Sequence, residues 1–479
     1  MRKIKVVVKK FGVTLVIGML LTLVALPNGR DTLFQGAKWN SSVQEVIATV
    51  GGSDSGNYLR GGLDVEDDGK FSKEQSWLVN LWPPGMFYMY GIILHIGGIN
   101  LDIIVVMLFL SIILWSVLLS WVYRFTKQRT NRTYAAGSIL AILVFCWPSH
   151  GLFSDQLLGS DGISFGIVLF AVVIFLKVDL MKLSESAWKG LIAGALIALA
   201  AYFRVSYEFV GQMITAMAVI ACLVSLARRF KSVKSKSPQR NHVGLLCFLL
   251  TTAGAFQIAT IPWRMIVAEN VRPGNYSWST AGDLYWDYRW TPNEVFRERG
   301  FEWYVDGGAN SACRIDPDKC KEIYQHELAT TAPLQGGGYT QSQFKSLALE
   351  TYRAHPIKLF IDRTANFLRN WFGFGARSSN LLLGQVLTLL AFILVGLDSL
   401  ISLALRKPTR HGMIFLSLNA CLLAPFLIMH IEYRYLEPSK LLGLLFLPLT
   451  LQTLYKSRCT KTKAGTITST DLDNSLIDS

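Results

Sequence analysis

Carboxylates and cations recur in this chain at the ends of long apolar runs, where an ionised group is costly unless it has a use. Asp54 stands in a Gly-Gly-Ser-Asp-Ser-Gly stretch with Tyr58 close behind it, and Asp155 and Asp161 precede a later apolar run. Arg204 and Glu208 lie between two such runs, Arg264 follows another, and Glu432, Tyr433, Arg434, Glu437 and Lys440 sit between the last two. A carboxylate accepts a proton from a hydroxyl, and a guanidinium grips a phosphate through paired N–H donors. Gathered at the mouths of a helix bundle, such groups suit a site that takes a phosphate-bearing lipid from the membrane. Each residue also has a plainer reading. Asp54 suits a turn, a lone arginine at a helix end snorkels to headgroups, Tyr58 packs its loop, and Glu432 neutralises Arg434.

The elements that must position these groups follow from composition. The chain has 479 residues, of which 51% are hydrophobic and only 17% charged, against about 25% charged in ordinary soluble domains. That is too little charge to solvate a surface of this size, which argues against a soluble enzyme, a disordered chain, a collagen or a coiled coil. Seven cysteines with no CxxC or Cys/His pattern give neither a disulfide scaffold nor a structural zinc site. Apolar runs near the ~20 residues needed to cross a bilayer predict spans at 11–27, 101–123, 134–148, 161–178, 187–203, 205–227, 242–262, 380–402, 412–430 and 438–455. The expected fold is all-α and integral to a membrane, with about ten transmembrane helices and two long outer loops carrying juxtamembrane helices.

Charge orients it. Arg2, Lys3, Lys5, Lys9 and Lys10 precede the first span, and positive residues resist translocation. With the N-terminus inside, the clusters at 124–132, 177–189, 228–240, 406–410 and 456–463 all fall on the cytoplasmic side, and with the five N-terminal residues they hold more than half of the 47 lysines and arginines. Of the acids, only Asp179, Glu185, Asp398, Asp471, Asp473 and Asp478 join them. The net charge of +14 is thus mostly an orientation signal in short loops, and it argues against nucleic-acid binding. Val24-Ala25-Leu26-Pro27 offers no convincing signal-peptide cleavage site, so the first span reads as retained. Both termini are expected in the cytoplasm.

The chain divides into a membrane part at 1–262 containing the outer loop 28–100, a large outer loop at 263–379, C-terminal spans at 380–455 and a disordered cytoplasmic tail at 456–479. Trp82 to Tyr90 reads as a juxtamembrane or re-entrant helix opened by Pro83 and Pro84, where a missing N–H is harmless. Residues 343–372 read as an amphipathic helix in the headgroup region. The aromatics from Trp278 to Tyr304 form an interfacial belt or small core, with a sugar-binding surface as the sharper alternative. Cys313 and Cys320 share one outer loop, where a disulfide and free thiols are both open. The acidic run Asp64, Glu66, Asp67 and Asp68 reads as a solvated loop rather than as Ca²⁺ or Mg²⁺ ligands. No metal or other cofactor is indicated.

Several local patterns fall in a particular order: Asp54-Ser-Gly-Asn-Tyr58, Trp82-Pro-Pro-Gly85, Ser160-Asp161-Gly162, Gly190 to Gly194 leading to Tyr202-Phe203-Arg204, Ile261-Pro-Trp-Arg264, Gly274 to Gly282, His355-Pro356, and Glu432-Tyr-Arg-Tyr435. Over residues 1 to about 455 this order resembles the GT-C membrane glycosyltransferases, in particular the bacterial protein-mannosyltransferase and aminoarabinose-transferase branch. The resemblance implies an inverting transfer of a sugar from a polyprenyl-phosphate carrier to an acceptor, whether lipid, glycan or protein, on the outer face of the plasma membrane. Asp54 matches the family's first-loop acid and implies a general base. Asp161 matches a second acid that orients the acceptor or a basic partner. Arg204, Arg264, Arg434 and Lys440 would then hold the departing phosphate, with Tyr58, Glu432 and Tyr433 contacting substrate. Some relatives carry two adjacent acids in the first loop, whereas Ser55 follows Asp54 here. A transporter or flippase of lipid-linked sugars, or a polysaccharide polymerase or ligase, is the alternative.

Overall fold

The computed structural model describes residues 12–23, 41–50, 54–69, 78, 82–145, 158–231, 240–271, 315–316, 349–372, 379–423 and 433–473, and every regular element among them is helical. The helices are α1 (Gly12–Leu23), α2 (Val43–Val50), α3 (Asp54–Asp68), α4 (Gly85–Gly97), α5 (Ile103–Arg129), α6 (Arg132–Phe145) and α7 (Asp161–Lys177). They continue as α8 (Leu183–Phe203), α9 (Ser206–Lys231), α10 (Arg240–Val271), α11 (Pro356–Phe372), α12 (Ser379–Ala404), α13 (Arg410–Leu423) and α14 (Tyr433–Asp473). Among the described residues, each segment that hydropathy marks as apolar carries a helix. Among the described residues α5, α8, α9, α10 and α12 are long and apolar enough to cross a membrane. Their outward faces keep large apolar side chains exposed, such as Phe109, Leu199, Leu223, Ile258 and Leu394. So much exposed apolar surface would be an aggregation hazard in water and is ordinary against lipid.

Local chemistry explains several helix limits. Ser42 and Glu45 form a reciprocal capping box at the start of α2, each side chain accepting the other's backbone N–H at 2.8 and 3.3 Å, which satisfies two orphan donors at once. Asp102 caps α5 by accepting from the Val105 N–H at 3.1 Å, and Lys127 and Arg129 complement the dipole in its last turn. At the end of α4, Gly98 takes φ 77°, a left-handed conformation open to glycine without a Cβ clash.

The most extensive helix pairing joins α8 to α10. Gly190 and Gly194 lie on the contact face of α8, and a Cβ at Gly194 would collide with the Thr252 carbonyl and approach the Ala255 Cβ to 2.8 Å. Two helix backbones meet closely there because neither side chain intervenes, the usual device where lipid removes the hydrophobic drive for association. Gly194→Leu is expected to cost about 1–3 kcal/mol by overpacking, read as a lower unfolding midpoint of the detergent-solubilised protein. Gly254→Ala is the control, because a Cβ there meets nothing within 4 Å. Equal midpoints for the two variants would refute the close crossing.

Three expectations need correction. The stretch around the first-loop acids is not a loop: Asp54 opens α3, and Asp64, Glu66, Asp67 and Asp68 ride on its second half. Gly56, Gly61 and Gly62 give the segment poor intrinsic helix propensity. Burial of Tyr58, Leu59 and Val65, with α3 packed against α4, overrides it. The amphipathic stretch is broken at His355, with a helical turn at 349–354 and a new helix from Pro356, because proline lacks the N–H that a continuous helix requires; residues 343–348 lie outside the described ones. The tail expected to be disordered continues α14 as far as Asp473. Propagation adds one hydrogen bond per residue once a long helix exists.

Candidate functional site

Four separate parts of the chain meet around Arg204. Ser160 precedes α7 and Asp161 is its first residue, so a carboxylate sits at a helix N-terminus, where the dipole favours it. Arg204 ends α8 in an extended conformation, its N–H still bonded to Ala200, and α9 begins two residues later at Ser206. That tight connection carries the guanidinium to Asp161, with Nη1 at 2.6 Å from Oδ1. Nη1 also donates to the Ser160 hydroxyl at 3.4 Å. The Tyr435 ring on α14 lies 4.6 Å from the guanidinium carbon, within cation–π range. Both charged side chains are about nine-tenths buried.

Tyr58 links this pair to Asp54. One turn into α3, its hydroxyl lies 3.4 Å from Ser160 Oγ, and its ring packs against Trp82 at 5.7 Å and Phe87 at 5.5 Å. Burial pushes the phenol well above its ordinary range; the Asp54 carboxylate pushes in the same direction and Arg204 opposes it. The phenol therefore stays protonated. Asp54 is partly exposed, close enough for its charge to act on Tyr58. A run of carboxylate, phenol, hydroxyl, carboxylate and guanidinium results, walled by aromatics. It offers an accessible base at one end and a cation at the other.

α4 holds this arrangement in place. A Cβ at Gly85 would approach the Tyr202 carbonyl to 2.6 Å, so the start of α4 lies directly against the turn that carries Arg204. The Tyr90 hydroxyl donates to the Leu158 carbonyl at 2.7 Å, tying α4 to the approach to Ser160.

A second charged group sits beside the first. Glu208, one turn past Arg204, receives Nη2 and Nε of Arg264 at 2.8 and 3.2 Å, and Arg264 Nη1 donates to Gln257 at 2.7 Å. Gln257 in turn donates to Gln212 and Thr215, each at 3.0 Å. Arg264 is fully buried, so its charge is engaged inside the bundle rather than presented at an open mouth. Removing one member strands the other in a poorly solvated place. Glu208→Leu is therefore expected to destabilise by about 3–5 kcal/mol, while the double replacement Glu208→Leu with Arg264→Met recovers most of that. Thermal unfolding of the two variants measures it, and equal losses would show that the pair carries no such coupling.

The third group lies on α14, where Lys440 Nζ meets Glu437 at 2.7 Å and stands 5.6 Å from the Trp371 ring centre, all three fully buried. Trp371 belongs to α11, whose amphipathy is reversed. Arg363, Asn366 and Asn370 are buried, whereas Ile357, Phe360 and Ile361 are exposed. The apolar face outward and the polar face inward suit a helix lying at a membrane surface, and the inward polar groups bond within this segment, Arg363 to the Tyr352 hydroxyl, Asn366 to Asp362 and Asn370 to the Asn366 carbonyl.

The structure thus brings Asp54, Tyr58, Asp161 and Arg204 together and gives Arg264 and Lys440 carboxylate partners of their own. Glu432 and Asp155 lie outside the described residues, as do the side chains of Tyr433 and Arg434 and both Cys313 and Cys320. Ser160 and Tyr435, named in the sequence only as parts of local patterns and given no role there, join the site. Ser160 was signalled by its place before Asp161, but nothing local indicates that Tyr435 stacks on an arginine more than two hundred residues away. Among the described residues no three His, Cys, Asp or Glu side chains group to hold a metal ion. No family model matches the chain, and no curated protein and no solved structure matches it.

Proposed function

We propose that this protein is an integral-membrane glycosyltransferase that moves a sugar, with inversion, from a polyprenyl-phosphate carrier to an acceptor on the outer face of the plasma membrane. The observation that carries the reading is the convergence of Asp54, Tyr58, Ser160, Asp161 and Arg204 at one end of the bundle. In this reading the ten apolar helices span the membrane, both termini are cytoplasmic, and α2, α3, α4 and α11 lie on the outer side. The acceptor hydroxyl gives its proton to the Asp54 carboxylate while its oxygen bonds to the anomeric carbon. The bond from that carbon to the carrier's phosphate breaks, and polyprenyl phosphate leaves with the electron pair.

Arg204 is the cation best placed for that departing anion. It is pre-set by Asp161 and Tyr435, so it need not reorganise as charge develops. The Tyr58 phenol, kept protonated, donates a hydrogen bond within the same group. Arg264, paired with Glu208, ties α10 to α9, Lys440 packs α14 against Trp371 of α11, and Arg434, Glu432 and Tyr433 complete the substrate contacts.

Purified protein in lipid nanodiscs, given polyprenyl-phosphate-linked sugars, is expected to release polyprenyl phosphate and glycosylate an acceptor with the opposite anomeric configuration. Reporters fused after Lys236 and Arg410 should read cytoplasmic, and reporters near Lys70 and Gly308 outside. Passage of intact lipid-linked sugar across a vesicle membrane without transfer would instead establish the flippase reading.

A further inference from the structure

Between α7, α8, α9, α10 and α13 lies a cavity of about 450 Å³, with its mouth at Arg410 and its inner end at Val168 of α7 and Val210 of α9. Its walls are almost wholly apolar, including Val172 and Phe175 of α7, Ala193 of α8, Met217 of α9 and Phe248 of α10. Along α13 it runs from Arg410 to Cys421, about 16 Å at 1.5 Å per residue, close to half of a ~30 Å hydrocarbon core. The cavity therefore has the depth of one leaflet. An apolar cavity takes up apolar ligands, and in a bilayer the available ligand is hydrocarbon.

The charged end of the cavity says which lipid. Arg410, with Thr409 and Pro408, lines it beside Leu180. Both hydrogen bonds of Arg410 leave from Nη1, to the carbonyls of Leu176 and Val178 at 3.3 and 3.0 Å. Among the described residues no carboxylate forms an ion pair with it, and it is partly exposed, so Nε and Nη2 remain to donate. The charges acting on it are those of Arg129 and Asp179, and Asp179 is already engaged by Lys182 at 3.8 Å and by the Met181 N–H at 3.0 Å. Lys177 stands in the chain between the two residues whose carbonyls Arg410 bonds, its ammonium over the Trp121 ring and within the influence of Arg124 and Lys189; Lys189 pairs with Glu185. Cations exceed acids around this mouth, the arrangement by which basic pockets between membrane helices on the cytoplasmic side hold anionic headgroups.

We propose that this cavity binds one acyl chain of an anionic phospholipid of the cytoplasmic leaflet, with the lipid phosphate on Arg410. The proposal takes its leaflet from the topology of the preceding reading but needs no transfer activity. The mouth and the site around Arg204 lie at opposite ends of α7, since Arg410 bonds to Leu176 and Asp161 is its first residue. They are about 22 Å apart along the helix, so the phosphate of a sugar donor held at Arg204 does not reach Arg410.

The test is native mass spectrometry of the full chain released from nanodiscs containing equal amounts of phosphatidylglycerol and phosphatidylcholine. Retention of one phosphatidylglycerol is expected. Arg410→Gln should lower the preference for it about tenfold, the loss of one charged hydrogen bond. Met217→Trp, which fills the cavity from a partly exposed position on α9 and leaves α8 untouched, should remove bound lipid altogether; Ala193→Phe is the second filling variant. Equal retention of both lipids, or retention unaffected by either filling variant, would overturn the proposal. So would preferential retention of polyprenyl phosphate over phosphatidylglycerol when both are supplied. If lipid is retained as expected while no sugar is transferred, the glycosyltransferase reading alone fails. A reporter after Arg410 that reads outside removes the leaflet assignment.

Discussion

Asp54→Asn is expected to reduce sugar transfer by a factor of about a hundred to ten thousand, the usual contribution of a general base, with little change in the amount of folded protein. Asparagine keeps the size of the side chain and one acceptor oxygen but cannot take up a proton. It is also a good residue for a helix start, so α3 should survive the exchange. The charge that Asp54 exerts on Tyr58 disappears, yet burial, the larger influence on that phenol, remains and keeps it protonated. Asp67→Asn is the control: it is an exposed acid on the last turn of the same helix, and its exchange should leave the rate within twofold of the parent. An Asp54→Asn protein that transfers sugar at the parent rate would remove Asp54 from the mechanism and leave Asp161 as the candidate base.

The second large effect concerns Arg204. Arg204→Ala leaves the Asp161 carboxylate, about nine-tenths buried, without its cation at 2.6 Å, and breaking such a pair costs about 3–5 kcal/mol. The variant is therefore expected to lose stability and donor turnover together, which alone would not distinguish scaffold from chemistry. Arg204→Lys makes the distinction. Lysine keeps a positive charge for Asp161 but has neither the planar fork for a phosphate nor the flat face that lies on Tyr435. Its unfolding midpoint should stay close to the parent's, while its KM for the lipid-linked donor rises at least tenfold and its KM for the acceptor does not. Parent-like donor kinetics in Arg204→Lys would show that the residue serves only to hold Asp161.

How much of this was legible in the chain differs from element to element. The helices α5, α8, α9, α10 and α12 announce themselves, because a run of about 20 apolar residues has few stable solutions other than a buried or membrane-crossing helix. The start of α4 was equally plain, since Pro83 and Pro84 suit a first turn and nothing later in it. Of the site, Asp54, Asp161 and Arg204 stood out as charges beside apolar runs. By contrast α3 was hidden, because three glycines in its first nine residues argue locally against the helix that packing on α4 produces.

Partnership across distant helices was the part that residue order could not supply, whereas Glu437 and Lys440 stand three residues apart on one helix. Arg204, Arg264 and Lys440 looked equivalent as three cations near helix ends, and each was a candidate for phosphate. Packing separates them: Arg204 meets Asp161 in the group that contains Tyr58 and acts alongside Asp54, whereas Arg264 is enclosed with Glu208 and Gln257, and Lys440 with Glu437. The inner cavity was likewise invisible, since Val172, Ala193, Met217 and Phe248 are indistinguishable in sequence from residues that pack without a void. Hydropathy and helix-stop signals are local properties, carried by a few adjacent residues. Ion pairs and cavities depend on the register in which distant helices meet, and a rotation of one helix by a single residue, about 100°, is enough to exchange one partner for another.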